Sequence, residues 1–143
     1  MEVKRIKKVD RKLINKINQL FDDKKWSQKE GNKFLTDKNN LLLLAFENDK
    51  PVGFLTAHRL QRFDKKKAEI LLYEIGVHPY YRRQGIGKSL INEVKNWAKE
   101  VNSSEVWVLT EKTNPIAMKL YQSVGGVEES PGTVMYVYKA TQF

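Results

Sequence analysis

Leu13, Ile14, Ile17, Leu20 and Phe21 fall at helical spacing, and they predict an amphipathic helix entered at Asp10, whose short carboxylate suits an N-cap. The stretch before it, "EVKRIKKV", reads as an opening strand. Ser27, with Glu30 three residues on, predicts the start of a shorter second helix running toward Leu35. The period then changes. "NLLLLAFENDKPVGFLTAHRLQRF" reads as two strands joined by the polar turn Glu47–Lys50, and "AEILLYEIGVHP" as another strand closed by Pro79. Leu90, Ile91, Val94, Trp97, Ala98 and Val101 line one face of a helix. "EVWVLT" follows as a strand, "NPIAMKLYQSV" as a short helix with Pro115 in its first turn, and "TVMYVYK" as a final strand. The alternation predicts an α/β architecture in which a mixed sheet is flanked by helices.

At 143 residues, without an internal repeat or a shift in composition, the chain reads as a single domain over residues 1–143. Its hydrophobic fraction of 41% and charged fraction of 30% are those of a soluble globular protein, and it has no apolar run long enough to cross a bilayer. There is no cysteine, so neither a disulfide framework nor a thiolate metal site is available, and no metal is expected. "MEVKRIKKVD" lacks the apolar centre of a signal peptide, which gives the expectation of a cytoplasmic protein. The net charge of +9 does change the picture, because it favours an anionic ligand, either a phosphate-rich small molecule or a nucleic acid. RNA-binding aromatic signatures and zinc-finger spacings are missing, so nucleic acid is not the expected partner.

A candidate anion site lies in "HPYYRRQGIGKSLI". A helix's first turn carries amides without internal partners and the positive end of the helix dipole. Glycine at Gly85 and Gly87 would let an anion approach those amides, and Arg82 and Arg83 would add charge at the mouth. The spacing is neither that of a Walker loop nor that of the dinucleotide fingerprint.

"Arg82-Arg83-Gln84-Gly85-Ile86-Gly87", following the strand "LLYEIGVHPYY", resembles the coenzyme A pyrophosphate loop of the GCN5-related N-acetyltransferases. "NPIAMKLYQSVG", Asn114 to Gly125, resembles that family's later N-x-x-A-x-x-L-Y-x-x-x-G segment, in the matching order. The resemblance implies a mixed, mostly antiparallel central sheet flanked by helices, and acetyl-coenzyme A as donor. Within the family, "LYEIGVHPYYRRQGIGKSLI" and "PIAMKLYQSVG" are most similar to the aminoglycoside 3-N-acetyltransferases, with Glu74 standing where those enzymes carry an acidic residue.

The implied activity is direct transfer of an acetyl group to a primary amine of a small molecule, an aminoglycoside among the candidates. A protein or peptide amine, or a catalytically silent coenzyme A-binding module, are the alternatives. Backbone groups of Ile75, Gly76 and Val77 would pair with the pantetheine arm, with Gly76 giving room for it. The pyrophosphate would rest on the amides of Gln84, Gly85, Ile86, Gly87 and Lys88, beside Arg82 and Arg83. Asn114 is both a cofactor candidate and an ordinary helix cap. Glu74 is the candidate base, on a face that alternation shares with Ile70, Leu72 and Gly76; its other readings are a surface strand glutamate and a substrate-anchoring charge. Tyr121 is the candidate acid toward the departing thiolate, against a plain core aromatic. The acceptor pocket is expected between the first two helices and the loop from Arg62 to Lys67. Oligomeric state is not legible in the sequence; the homodimer that is common in the family is one candidate assembly.

Overall fold

The computed structural model describes residues 1–143. β1 (Glu2–Arg5) leads to α1 (Arg11–Leu20) and α2 (Gln28–Thr36); β2 (Asn40–Glu47), β3 (Lys50–Leu60) and β4 (Glu69–Val77) follow, then α3 (Ile86–Glu100), β5 (Val106–Trp107) and α4 (Pro115–Ser123). The five strands lie in sequence order in one sheet, antiparallel from β1 to β4, with β5 parallel to β4.

The local signals act as their chemistry requires. Asp10 caps α1 by accepting from the Leu13 amide at 2.8 Å, and Ser27 caps α2 by accepting from that of Glu30 at 3.1 Å. Asn48 and Asp49 both take positive φ, 47° and 66°, the conformation that a two-residue hairpin turn demands. β2 is buried on both faces, which explains its unbroken apolar run. Leu41, Leu43 and Ala45 join Val52, Leu55, Ile70 and Leu72 under α3, while Leu42 and Leu44 join Phe54 under α1. Arg5 fastens the β1 edge to α3, donating from Nε to Glu93 at 2.7 Å and from both terminal nitrogens to Glu100 at 2.6 and 2.8 Å.

Gly76 packs its Cα against a ring. A Cβ there would lie 2.5 Å from Cε1 of Phe54, so the space that glycine opens is filled by the core rather than kept for a ligand. Gly76→Ala is therefore expected to cost about 1–3 kcal/mol through overpacking. A melting temperature unchanged from the parent would show that Phe54 moves aside freely.

The final strand is not formed. Residues 133–139 make no ladder, and Val134, Met135, Tyr136, Val137 and Tyr138 are exposed. Their β-branched and aromatic composition is that of a strand, but a strand exists only through a neighbour's amides and carbonyls. The edge at that side is β5, which pairs with β4 over two residues. No helix is long and apolar enough to cross a membrane.

Candidate active site

β3 and β4 pair from Gly53–Val77 to Thr56–Glu74 and again from Ala57–Leu72 to Leu60–Glu69, leaving Tyr73 without an opposite residue. Such a bulge shifts the phase of alternation by one. Ile70 and Leu72 consequently face α3, whereas Tyr73 and Glu74 both turn to the side of α1 and α2. The face shared by Glu74, Ile70 and Leu72 that simple alternation gives is thus incorrect: one extra residue carries Glu74 out of the core and into a groove.

That groove, of about 250 Å³, is walled by Trp26, Phe34, His58 and Tyr73, floored by Leu42, and carries Thr56 and Glu74 as its polar groups. His58 is held by a 2.8 Å hydrogen bond between Nδ1 and Asn40, and its ring meets those of Phe34 and Tyr73 edge to face, with centroids 5.5 and 5.6 Å apart. Asn18 fixes the α1–α2 connection by donating to the Trp26 carbonyl at 2.8 Å and accepting from its amide at 2.9 Å. The same connection carries Lys24, whose Nζ donates to Glu74 Oε1 at 2.6 Å and stands 5.3 Å from the centre of the Phe54 ring. That hydrogen bond is the main reason the Lys24 ammonium holds its proton above the usual lysine range. Thr56 Oγ1 is buried without a hydrogen-bond partner. The loop from Arg62 to Lys67 does not line the groove; Arg62 is taken up by Asp64 at 2.9 Å and Glu69 at 3.1 Å.

The ladder between β4 and β5 ends at Leu71–Trp107, so the β4 edge from Leu72 onward has no strand beside it. The His78 amide donates to Val52 across β3, and alternation then turns the backbone of Ile75 and Val77 outward while that of Gly76 faces β3. Of the three strand positions expected to meet a donor arm, Ile75 therefore presents a free amide and carbonyl and Val77 a free amide, whereas Gly76 presents neither. The Val77 carbonyl already accepts from Arg82 Nε at 3.1 Å.

After a 3-10 turn at Pro79–Tyr81, the chain passes through Arg83 at φ 62° and Gly85 at φ 81° and enters α3. The first bond of the helix runs from the Ser89 amide to the Gly85 carbonyl at 3.0 Å, so the amides of Gln84, Gly85, Ile86, Gly87 and Lys88 have no backbone acceptor. A Cβ built on Gly85 meets nothing within 4 Å, which leaves the approach to those amides open. Gly87 does something else. It is buried, and a Cβ there would stand 3.0 Å from Leu120 of α4, so its lack of a side chain serves helix packing while its amide faces the first turn. Ile86 is likewise part of the core through its side chain.

Tyr121 lies half-buried in a second groove of about 230 Å³, with Leu72, Ile91, Val106, Val108 and Val124. Burial raises its phenol pKa, so the hydroxyl stays protonated at neutral pH. Asn114 acts as the N-cap of α4, its Oδ1 accepting from the Ala117 amide at 3.1 Å, which is the ordinary reading of that residue. Glu74 and Tyr121 share no groove. They stand on the two sides of β4, with its free edge between them. The groove aromatics Trp26, Phe34 and His58, with Thr56, were missed in the sequence, although the polar alternation of Thr56 and His58 after Phe54 within a buried strand was a legible sign.

The family model described as "Acetyltransferase (GNAT) family" matches residues 11–126. N-acetyltransferase 8 of Homo sapiens is 30% identical over 92 residues, 64% of this chain and 40% of that protein. The N-alpha-acetyltransferase RimI of Mycobacterium tuberculosis is 32% identical over 108 residues, 75% of this chain and 65% of that protein. The first curated relatives are matched over 40 to 46% of their length, so this chain corresponds to less than half of each. Among solved structures, the aminoglycoside acetyltransferase meta-AAC0020 from an uncultured soil metagenomic sample superposes with a TM-score of 0.81 at 27% identity, covering 96% of both chains.

Proposed function

We propose that this chain, which belongs to the acetyltransferase (GNAT) family, transfers an acetyl group directly from acetyl-coenzyme A to a primary amine carried by an apolar or aromatic small molecule or peptide end. The observation that supports this reading is the aromatic groove, which opens beside the free edge of β4 and holds Glu74 and the unpartnered Thr56 hydroxyl.

The donor fits the residues present. Free amides at the start of α3 and the open space at Gly85 suit a pyrophosphate, and the outward groups of Ile75 and Val77 suit an amide-bearing arm. Acetyl-coenzyme A supplies the activated acyl thioester. The chain supplies the rest. Glu74 accepts a proton from the acceptor ammonium, Thr56 Oγ1 orients the acceptor by a hydrogen bond, and the Tyr121 phenol donates to the leaving sulfur across the β4 edge. Arg82, tied to Val77, holds the pyrophosphate loop to the strand that bears the edge groups.

A polycationic aminoglycoside is the second reading, favoured by the likeness to meta-AAC0020. The groove argues for fewer charges, because its one carboxylate, Glu74, is already paired with Lys24. Thiol release measured across arylalkylamines, peptides with a free α-amine, polyamines and aminoglycosides decides between them. Highest kcat/KM is expected for a monoamine or peptide with an aromatic or apolar neighbour. Turnover confined to aminoglycosides would reverse the choice of acceptor, and an absence of both turnover and coenzyme A binding would remove the function.

A further inference from the structure

We infer that Lys24 occupies the place of the acceptor amine and is itself an acetylation site of this protein, the acetyl group coming from acetyl-coenzyme A. The inference rests on the reading of Glu74 as the residue that receives the acceptor's proton. Three contacts carry it. Lys24 Nζ donates to Glu74 Oε1 at 2.6 Å, as a bound ammonium would. It stands over the Phe54 ring, 5.3 Å from its centre, and the edge of that ring fills the Cβ position of Gly76. Glu74, which the amine touches, is two residues from Gly76 on β4, whose flanking residues Ile75 and Val77 turn toward the edge without a strand.

The side chain is also sheltered. It is 18% exposed, while the adjacent Lys25 and the run Lys65–Lys67 are exposed. The connection that bears it is pinned at Trp26 by both ends of the Asn18 amide, so the amine is delivered by a held loop.

The step balances as an ordinary aminolysis. Glu74 takes one proton from the ammonium, and the free amine attacks the thioester carbonyl, forming the C–N bond. The C–S bond breaks as the adduct collapses, and Tyr121 protonates the thiolate. The second proton shed by nitrogen restores the phenol through water. The products are an N-acetyl-lysine, a free thiol and one proton released from Glu74 to solvent. Acetylated Lys24 no longer carries charge, so its ion pair with Glu74 is lost.

Incubation of the protein with isotopically labelled acetyl-coenzyme A, without an acceptor, followed by peptide mass mapping over time, tests this. Lys24 is expected to be labelled about tenfold or more faster than Lys65–Lys67, because holding the reacting groups together outweighs the firmer hold on its proton that the Glu74 bond gives. The rate should not change with protein concentration. Tyr121→Phe should slow labelling of Lys24 and leave that of Lys65–Lys67 alone, while Lys24→Arg should remove the fast site. Labelling of Lys24 no faster than that of Lys65–Lys67, or equally fast in Tyr121→Phe, would overturn the inference. An amine panel run on the same preparation separates the two readings. Turnover of an external amine with unlabelled Lys24 ends this inference and keeps the proposed function, and loss of both ends both.

Discussion

Replacing Tyr121 by phenylalanine is expected to lower kcat by about 10²- to 10⁴-fold while leaving the dissociation constant of acetyl-coenzyme A unchanged. The substitution removes one oxygen from a half-buried ring and keeps the ring's packing against Leu72, Ile91 and Val124. The fold should survive it. A departing thiolate needs a proton or a hydrogen bond at the moment the C–S bond breaks, and a phenol kept protonated by desolvation can give either. The sign for pH follows from that. A phenol titrates near 10 in water, and burial moves it upward, so the acid form persists through the neutral and mildly alkaline range. The alkaline fall in kcat due to this group should therefore lie above about pH 10 and should vanish in the phenylalanine variant. Calorimetric titration of the donor beside steady-state rates checks both halves. An unchanged kcat would remove Tyr121 as the acid.

Gly85→Val should act on binding instead, raising the dissociation constant of acetyl-coenzyme A by roughly tenfold or more. Gly85 takes φ 81°, a conformation that costs a residue with a Cβ about 1–2 kcal/mol and a β-branched one more. The variant relieves that strain by turning the backbone, which swings the amides of Gln84 to Lys88 away from a common point. Nothing lies within 4 Å of the added Cβ, so the core is not crowded and the lesion is confined to the loop. Two controls separate conformation from bulk. Gly85→Asn, which tolerates this φ, should keep more of the affinity. Acetyl-pantetheine, which lacks the pyrophosphate, should bind parent and variant alike. Normal affinity for acetyl-coenzyme A in Gly85→Val would contradict the assignment of the loop.

What the sequence disclosed and what it withheld divide along the reach of the interactions. Asp10 and Ser27 cap helices through bonds to amides three residues away, and the turn at Asn48-Asp49 is closed by its own backbone, so each is written in a few adjacent letters. The segment from Arg82 to Gly87 is legible for the same reason: a glycine at a helix entrance is a local event. The bulge at Tyr73 is not local. It is defined by the pairing of Thr56 with Glu74 and of Ala57 with Leu72, and nothing in "EILLYEIGV" alone says that the alternation skips. The error over which face Glu74 occupies came from there. The Lys24–Glu74 pair joins residues fifty positions apart. Gly76 and Gly87 looked like openings for a ligand because their partners, Phe54 and Leu120, are supplied by other elements. The final strand failed in the opposite way, since its own letters are those of a strand and only the neighbour is missing.

The contact between Gly87 and Leu120 joins the two ends of the proposed donor site mechanically. Leu120 precedes Tyr121 on α4, so the helix that starts at the phosphate loop and the helix that bears the phenol touch closely enough that an added methyl would make the Leu120 side chain give way. A methyl group at Gly87 would press on the Leu120 side chain, beside Tyr121, before it disturbed any anion. A change written in the loop would then be felt at the sulfur, and would show as slow chemistry in an enzyme that still takes up its donor.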